Sequence, residues 1–559
     1  MSSAETARIP RATDPPAPDI RPVKDAHPLK HQPDGSHSST RPRSGEALRS
    51  RAAALRAASA AAALALLALT ACSGGEADPA SAGASASPSP SPAPTRATGK
   101  RDELTVVDTA HIPGLKEQTS TEKLEGGVEA ELSYPRIPKA GPFADRLAEI
   151  TEQEARDFAG VEKGAKSYSV DWQVSAAGGN VLGVRLIQRE KDDDGERTGY
   201  STYWYNTESG RTSYSTELLA GQRQLEKFDR MVKKRLKDTG SVDTASLHPI
   251  AELYDSIGFN PDGDMVVEFD EGEIAPAKKG RVRAVVPKKQ VEPLLSPFGQ
   301  RAQKAAVTVT PEFAIDTAAS APKDGPPEGS VPGTFATAGD DVDCHDPDSK
   351  CIALTFDDGP GARTPELLDA LAEHDAKATF FLTGGPVREH PETVRREYAE
   401  GHELANHTVH HPDLTSLGHD AVAEELETVT ELVRRETGYS MDLMRPPYGA
   451  TDGGVAEVTE KLGQAQILWS IDTNDWRDHD AGLVSDRAVE RARPGSIVLM
   501  HDIHGTTVDA VPEILKRLSD KGYTMVTVSQ LLGETEPGRK YLNGHPKQPE
   551  ASPSAGPSD

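Results

Sequence analysis

Cys351-Ile-Ala-Leu-Thr-Phe-Asp-Asp-Gly-Pro360 is the stretch on which the reading of this chain turns. Ile352, Ala353, Leu354 and Phe356 make an apolar run that predicts a buried strand. The run ends in two adjacent carboxylates, Asp357 and Asp358, and Gly359-Pro360 then turns the chain. Two acids at the mouth of a buried strand repel each other. They are tolerable if one binds a cation and the other is held by a cation or serves as a base. Taken alone, the same residues also describe a strand followed by an acidic turn.

Downstream lies Asn406-His-Thr-Val-His-His-Pro412. His407 and His411 are four apart, so a helical turn would put both imidazoles on one side. Two histidines and one carboxylate, with positions left open for water, form a hydrolytic zinc-type set. His410 is an alternative partner at i+3, and spacing does not choose between it and His411. Three further segments follow: Arg445-Pro-Pro-Tyr-Gly449, Asp472-Thr-Asn-Asp-Trp476 and Leu499-Met-His501.

With these five motifs in order, the chain resembles the polysaccharide deacetylases with a NodB-homology domain, carbohydrate esterase family four. The resemblance covers about a third of the chain, from Asp346 to Gly533. It implies a distorted, incomplete (β/α) barrel. Carried over position by position, it also implies a set of roles. Asp358, His407 and His411 would hold a divalent metal, with zinc expected, and Asp357 would be the base. Arg445 would orient Asp357. The backbone N–H of Tyr448 would stabilise the oxyanion, and His501, held by Asp475, would be the acid. Trp476 and Leu499 would wall a pocket for the acetyl methyl, with Tyr448 beside them. The activity implied is hydrolysis of N-acetyl groups from amino sugars of cell-wall peptidoglycan. Chitin-type oligomers and acetylated xylan are the alternatives within the family. A wall-binding or sensor lipoprotein with a vestigial catalytic domain is the alternative outside it, and the intact acidic and histidine motifs argue against it.

The hydrolytic segment reads as alternating strand and helix, which argues independently for a parallel α/β barrel. Its strands are expected at 378–382, 403–406, 443–444, 467–471, 496–500 and 523–526, several of them ending at a motif. Such barrels carry their active sites at the C-terminal ends of their strands.

Upstream, residues 1–50 are rich in Pro, Ser, Arg and His and read as disordered. Ala57–Ala71 fits a signal-peptide core and is short for a membrane span. It runs into Leu69-Thr-Ala-Cys72, which resembles the bacterial lipobox, so Cys72 is the expected lipidation site and the lipid is expected to anchor the chain to the membrane. The remaining cysteines, Cys344 and Cys351, are then an even pair in an oxidising compartment and are expected to form a disulfide. Residues 73–100 read as an Ala/Ser/Pro tether.

Residues 101–302 read as a smaller α+β accessory domain. It has strand-like runs at 128–134, 167–174, 181–188, 200–205, 265–270, 273–276 and 281–287, and a helix within 218–236. Its Phe269–Pro287 stretch resembles the domain of lysozyme-sensing anti-sigma factors, which implies a wall or lysozyme-type ligand. Residues 303–345 read as a linker, the deacetylase-like domain as 346–535, and 536–559 as a disordered tail. The net charge of −26 disfavours nucleic acid as a partner.

Overall fold

A computed structural model describes residues 95–544, apart from 321, 323–325, 328, 336–341 and 347. The lipobox, Cys72 and the expected signal segment lie outside the described residues. Among those described, no helix is long and apolar enough to cross a membrane.

The strand Cys351–Asp357 is buried along its whole length, as an apolar run of this kind demands. It pairs in parallel with Ile497–His501 on one side and Thr379–Leu382 on the other. Beyond Thr379–Leu382 come Glu403–Asn406, Leu443–Met444 and Ala465–Ile467, again in parallel. Beyond Ile497–His501 comes Ile471–Asp472. Only residues 468–470 separate Ala465–Ile467 from Ile471–Asp472, although the two lie far apart in the strand order. Three residues reach at most about 11 Å, so the sheet curls round until its ends approach. The result is an incomplete parallel barrel. Thr524–Val526 pairs with the first residues of Cys351–Asp357. The Asp pair, Asn406-His407, Arg445, Asp472 and His501 all fall at or just beyond the C-terminal ends of these strands.

The accessory part holds a six-stranded sheet. Its members in order are Lys116–Lys123, Glu129–Arg136, Ser167–Gly178, Val181–Lys191, Glu196–Asn206 and Arg211–Ser213. Its one parallel pairing, between Glu129–Arg136 and Ser167–Gly178, needs a crossover, and the helix Gly141–Val161 supplies it. That helix buries Phe143, Leu147, Ile150 and Phe158 on one stripe. A three-stranded antiparallel sheet, Ser256–Phe259, Met265–Phe269 and Val282–Val286, packs near the helix Gln222–Leu236.

Several expected boundaries shift. The helix Pro297–Val307 buries Ala302, Ala305 and Ala306, and Thr308–Val309 pairs with Thr95–Arg96. The accessory part therefore starts before 101 and runs past 302, because its first and last segments are hydrogen-bonded to each other. Phe313 and Ile315 are buried in its core, so the start of the expected linker is packed chain. Lys540–Tyr541 pairs with Ala465–Ile467, so the first residues of the expected tail complete the barrel sheet. The stretch 273–276 forms no strand, and 467–471 divides between two strands far apart in the strand order.

The two parts are tied by charge. Arg434, near the end of the helix His419–Thr437, donates from Nε to Asp157 at 2.8 Å, and Arg435 donates to Glu190 at 2.9 Å. Cys344 and Cys351 are joined as a disulfide, with Cα atoms 5.6 Å apart, at the entrance to the central strand.

Candidate metal and catalytic site

Asp358, His407 and His411 offer one ligand atom each, all within 4.8 Å of one another. Asp358 Oδ1 lies 3.6 Å from the Nε2 atoms of both histidines. One carboxylate oxygen and two imidazole nitrogens are a borderline-soft donor set of the kind that suits a divalent transition metal. His407 Nδ1 lies 2.7 Å from the backbone oxygen of Arg445. Donation from Nδ1–H to that carbonyl leaves the Nε2 lone pair facing Asp358. Burial is the main force pushing His407 down to about 3, so the imidazole is neutral at pH 7.

The two histidines do not come together on a helical turn, as their spacing predicted. Residues 407–411 form a loop in which Thr408 and His411 adopt φ of 70° and 55°. One neighbouring and one distant side chain hold this loop in place. Asn406 Oδ1 accepts the Thr408 N–H, and Glu425 Oε2 accepts the N–H groups of Val409 and His410, each at 2.9 Å. Glu425 also binds the His410 ring at 2.9 Å, which turns that side chain out to solvent. His411, not His410, is the residue brought to Asp358.

Asp357 is buried and excluded from this set. Its Oδ1 accepts from Arg445 Nη1 at 2.6 Å, and its Oδ2 lies 3.7 Å from His407 Nε2. Arg445 is wholly buried and crosses the barrel interior. Its Nε donates to the carbonyl of Ile467 and its Nη1 also donates to Thr355 Oγ1. The Phe381 ring packs against the guanidinium at 4.0 Å. Burial raises the Asp357 carboxyl above its ordinary value, against the pull of the Arg445 charge.

His501 sits across the barrel mouth, beside Asp357 in strand register. Its Nδ1 is 2.9 Å from Asp475 Oδ1, and its backbone N–H donates to Asp475 Oδ2 at 2.7 Å. Thr507 Oγ1 donates to the same oxygen at 2.7 Å. Burial works against a charged imidazole here. The hydrogen bond to Asp475 and the negative charges of Asp357, Asp475 and Asp358 overcome it and raise His501 to about 9. Tyr448 has φ of 61°, a strained value for a residue with a side chain, and its exposed ring stands edge-on to His411 at 4.7 Å. Trp476 is half exposed in the turn that carries Asp475, and Leu499 is buried two residues before His501.

The motifs did not disclose every supporting group. Asp502, the residue after His501, is buried and accepts from Thr364 Oγ1 and from the Gly361 N–H. Any side chain at Gly359 would meet its carboxylate, since a Cβ there would lie 2.3 Å from Asp502 Oδ1. Thr355, Asn406, Glu425 and Thr507 likewise act from outside the catalytic set. Of these, Thr355 and Asn406 lie inside the quoted motifs.

The model of the polysaccharide deacetylase family matches residues 345–467. The Bacillus subtilis peptidoglycan-N-acetylmuramic acid deacetylase PdaA is 36% identical over 192 residues, which are 34% of this chain and 73% of that protein. The chain belongs to the polysaccharide deacetylase family. The Listeria monocytogenes peptidoglycan-N-acetylglucosamine deacetylase PgdA is 42% identical over 197 residues, which are 35% of this chain. The match spans only 42% of that Listeria protein's length. A solved structure of the Bacillus subtilis peptidoglycan deacetylase PdaC is 40% identical, with a TM-score of 0.32 over 33% of this chain and 91% of that one.

Proposed function

We propose that this protein removes N-acetyl groups from amino sugars of cell-wall peptidoglycan, with a divalent metal, zinc, held by Asp358, His407 and His411. The observation that carries the reading is the convergence of that donor set between a buried, arginine-held carboxylate and a raised histidine. Bound there, the cation would polarise the amide carbonyl and make water more acidic.

The chain's own residues do the rest. Asp357, held by Arg445 and raised by burial, takes a proton from the attacking water. The backbone N–H of Tyr448 donates to the oxyanion. His501 enters the reaction protonated and gives its proton to the departing amine, while Asp475 keeps the imidazolium oriented and charged. Asp357 and His501 flank the site with their protons in opposite states, which is the division of labour amide hydrolysis needs. Trp476 and Leu499 wall the space for the acetyl methyl.

The family relatives named above act on N-acetylglucosamine in one case and N-acetylmuramic acid in the other, so both sugars are substrates to test. Incubation with peptidoglycan fragments carrying each acetylated sugar should release acetate. A chelator should suppress the release and added zinc should restore it. No acetate from either sugar with zinc present would overturn the reading.

The site of action we propose is the outer face of the cell membrane, with the chain anchored through a lipid on Cys72, because Leu69-Thr-Ala-Cys72 follows an apolar segment of signal-peptide length. Cys72→Ala is expected to move the protein out of the membrane fraction or leave it unprocessed. A mature wild-type chain that begins before Cys72 and carries no lipid would refute the anchor. For the accessory part, a wall or lysozyme-type ligand is the expectation carried by its Phe269–Pro287 stretch. Pull-down with lysozyme and with purified wall tests it, and binding to neither would sink it.

A further inference from the structure

The accessory helix Gln222–Leu236 buries Leu225, Phe228, Val232 and Leu236 on one side. Its opposite side is a line of cations. Arg223, Lys227, Arg230 and Lys234, with Lys237 just past the end, recur at alternating steps of four and three residues. That spacing keeps side chains on one helical face, and all five are exposed. From first to last the line runs about 21 Å. None of the five forms an ion pair among the described residues. The helix's one ion pair there joins Lys233 to Asp229 at 3.0 Å, off this line. Against the row stand only Glu226, half-buried at its edge, and Asp238 beyond its end.

Such a face destabilises its own helix. Like charges three or four residues apart repel one another. The helix dipole favours cations in the last turn, but Arg223 stands in the first. Local stability therefore does not explain the row, and it stands out in a chain of net charge −26. Beside it lies a groove of about 590 Å3, lined by Lys227, Arg230, Met231, Lys234, Arg235 and Gln290. Arg235 is half-buried there with no carboxylate partner. It donates from Nη1 to the Met231 carbonyl at 2.8 Å and from Nη2 to Gln290 Oε1 at 2.7 Å. A guanidinium has five N–H groups, so donors remain for an anion in the groove.

We infer that this face binds a linear polyanion of phosphodiester type, whose phosphates are joined by short polyols. Neighbouring cations of the row stand about 5–6 Å apart at Cβ, so a chain that repeats its charge at every unit meets them in turn. Arginine grips phosphate oxygens in pairs, and lysine adds point charges. An anionic bilayer fits less well. None of the exposed large apolar side chains among the described residues lies on this helix to enter lipid. Nucleic acid fits less well too, because the row and its groove hold no aromatic ring on which a base could stack. The inference does not depend on the deacetylase reading.

The test is titration of the full chain with poly(glycerol phosphate), followed by calorimetry and by the reactivity of each lysine toward an amine-acylating reagent. Saturable binding is expected, weakening on the order of tenfold or more between about 50 and 200 mM salt. In the wild type Lys227, Lys234 and Lys237 should be protected from acylation, a readout that needs no variant to fold. Lys227→Glu with Lys234→Glu should weaken binding by at least about tenfold. Lys116→Glu with Lys123→Glu changes the net charge equally, at exposed lysines of the strand Lys116–Lys123, and should leave the affinity nearly unchanged. Absence of saturable binding at low salt would overturn the proposal. So would equal weakening by both pairs of substitutions, or protection that spares the three helix lysines. Tighter binding of phosphatidylglycerol vesicles, of a single-stranded oligothymidylate or of poly-L-glutamate, with the same loss on Lys227→Glu and Lys234→Glu, would give the face to that partner instead and overturn it as well.

Discussion

His407→Ala and His411→Ala should each abolish bound zinc and acetate release together, whereas Asp357→Asn should retain the zinc and lose turnover. The geometry separates the two adjacent acids. Asp358 Oδ1 stands 3.6 Å from both histidine Nε2 atoms, while Asp357 is tied to Arg445 at 2.6 Å. Removing an imidazole leaves two donors, too few for a closed structural or an open catalytic site. Replacing the Asp357 carboxylate by an amide keeps its shape and removes only its proton affinity. General-base catalysis contributes about 10²–10⁴-fold, and the loss in kcat should fall in that range with zinc content near one per chain. The measurement pairs elemental analysis of each purified variant with its rate of acetate release. Full zinc occupancy in either histidine variant sinks the ligand assignment. Loss of zinc from Asp357→Asn would mean that the two acids exchange roles.

Asp475→Asn should move the alkaline limb of the pH–rate profile to lower pH. His501 must be protonated to serve as the acid, and in the folded protein it titrates at about 9. Its activity is therefore present below that pH and lost as pH rises through it. The raised value depends on Asp475, which binds both the ring and the backbone of His501. With an amide at 475, burial is less opposed and the imidazole falls back toward the ordinary histidine value of about 6.5. At pH 8.5 the protonated fraction, and with it kcat/KM, should drop on the order of a hundredfold. At pH 6 the loss should be far smaller. The acid limb, set by Asp357, should move less. A uniform drop at every pH would show that Asp475 only positions its neighbour, and an unchanged profile would show no coupling to His501.

The parallel barrel was legible because strands such as Cys351–Asp357 and Ile497–His501 are short apolar runs that stop at a polar motif, and the helices between them keep their own spacing. What escaped the reading depends on partners far away in sequence. The path of the His407–His411 loop rests on Asn406 and on Glu425, and nothing within the motif encodes Glu425 as its anchor. Lys540–Tyr541 is polar and two residues long, so only its pairing with Ala465–Ile467 makes it a strand. The helix Gly141–Val161 carried a readable stripe, Phe143, Leu147, Ile150 and Phe158. In the site, the acids, histidines and Arg445 were legible from the motifs. The choice of His411 over His410 was not, because it is made by a hydrogen bond between the His410 ring and Glu425 of a neighbouring helix.

That neighbouring helix, His419–Thr437, touches both parts of the molecule. Near its start Glu425 grips the loop that presents His411, and near its end Arg434 and Arg435 grip Asp157 and Glu190 of the accessory part. Its nineteen residues make a stiff rod of about 28 Å. The loop beside His411 and the edge of the accessory part are therefore held by one and the same element. Cutting the chain between the two parts would leave those two arginines without their anions, while Arg395 would still hold Glu436 and Val433 would stay in the core. The barrel thus keeps the anchors of its histidine loop, Asn406 and Glu425, on its own elements, and lends the far turn of the same helix to the accessory part.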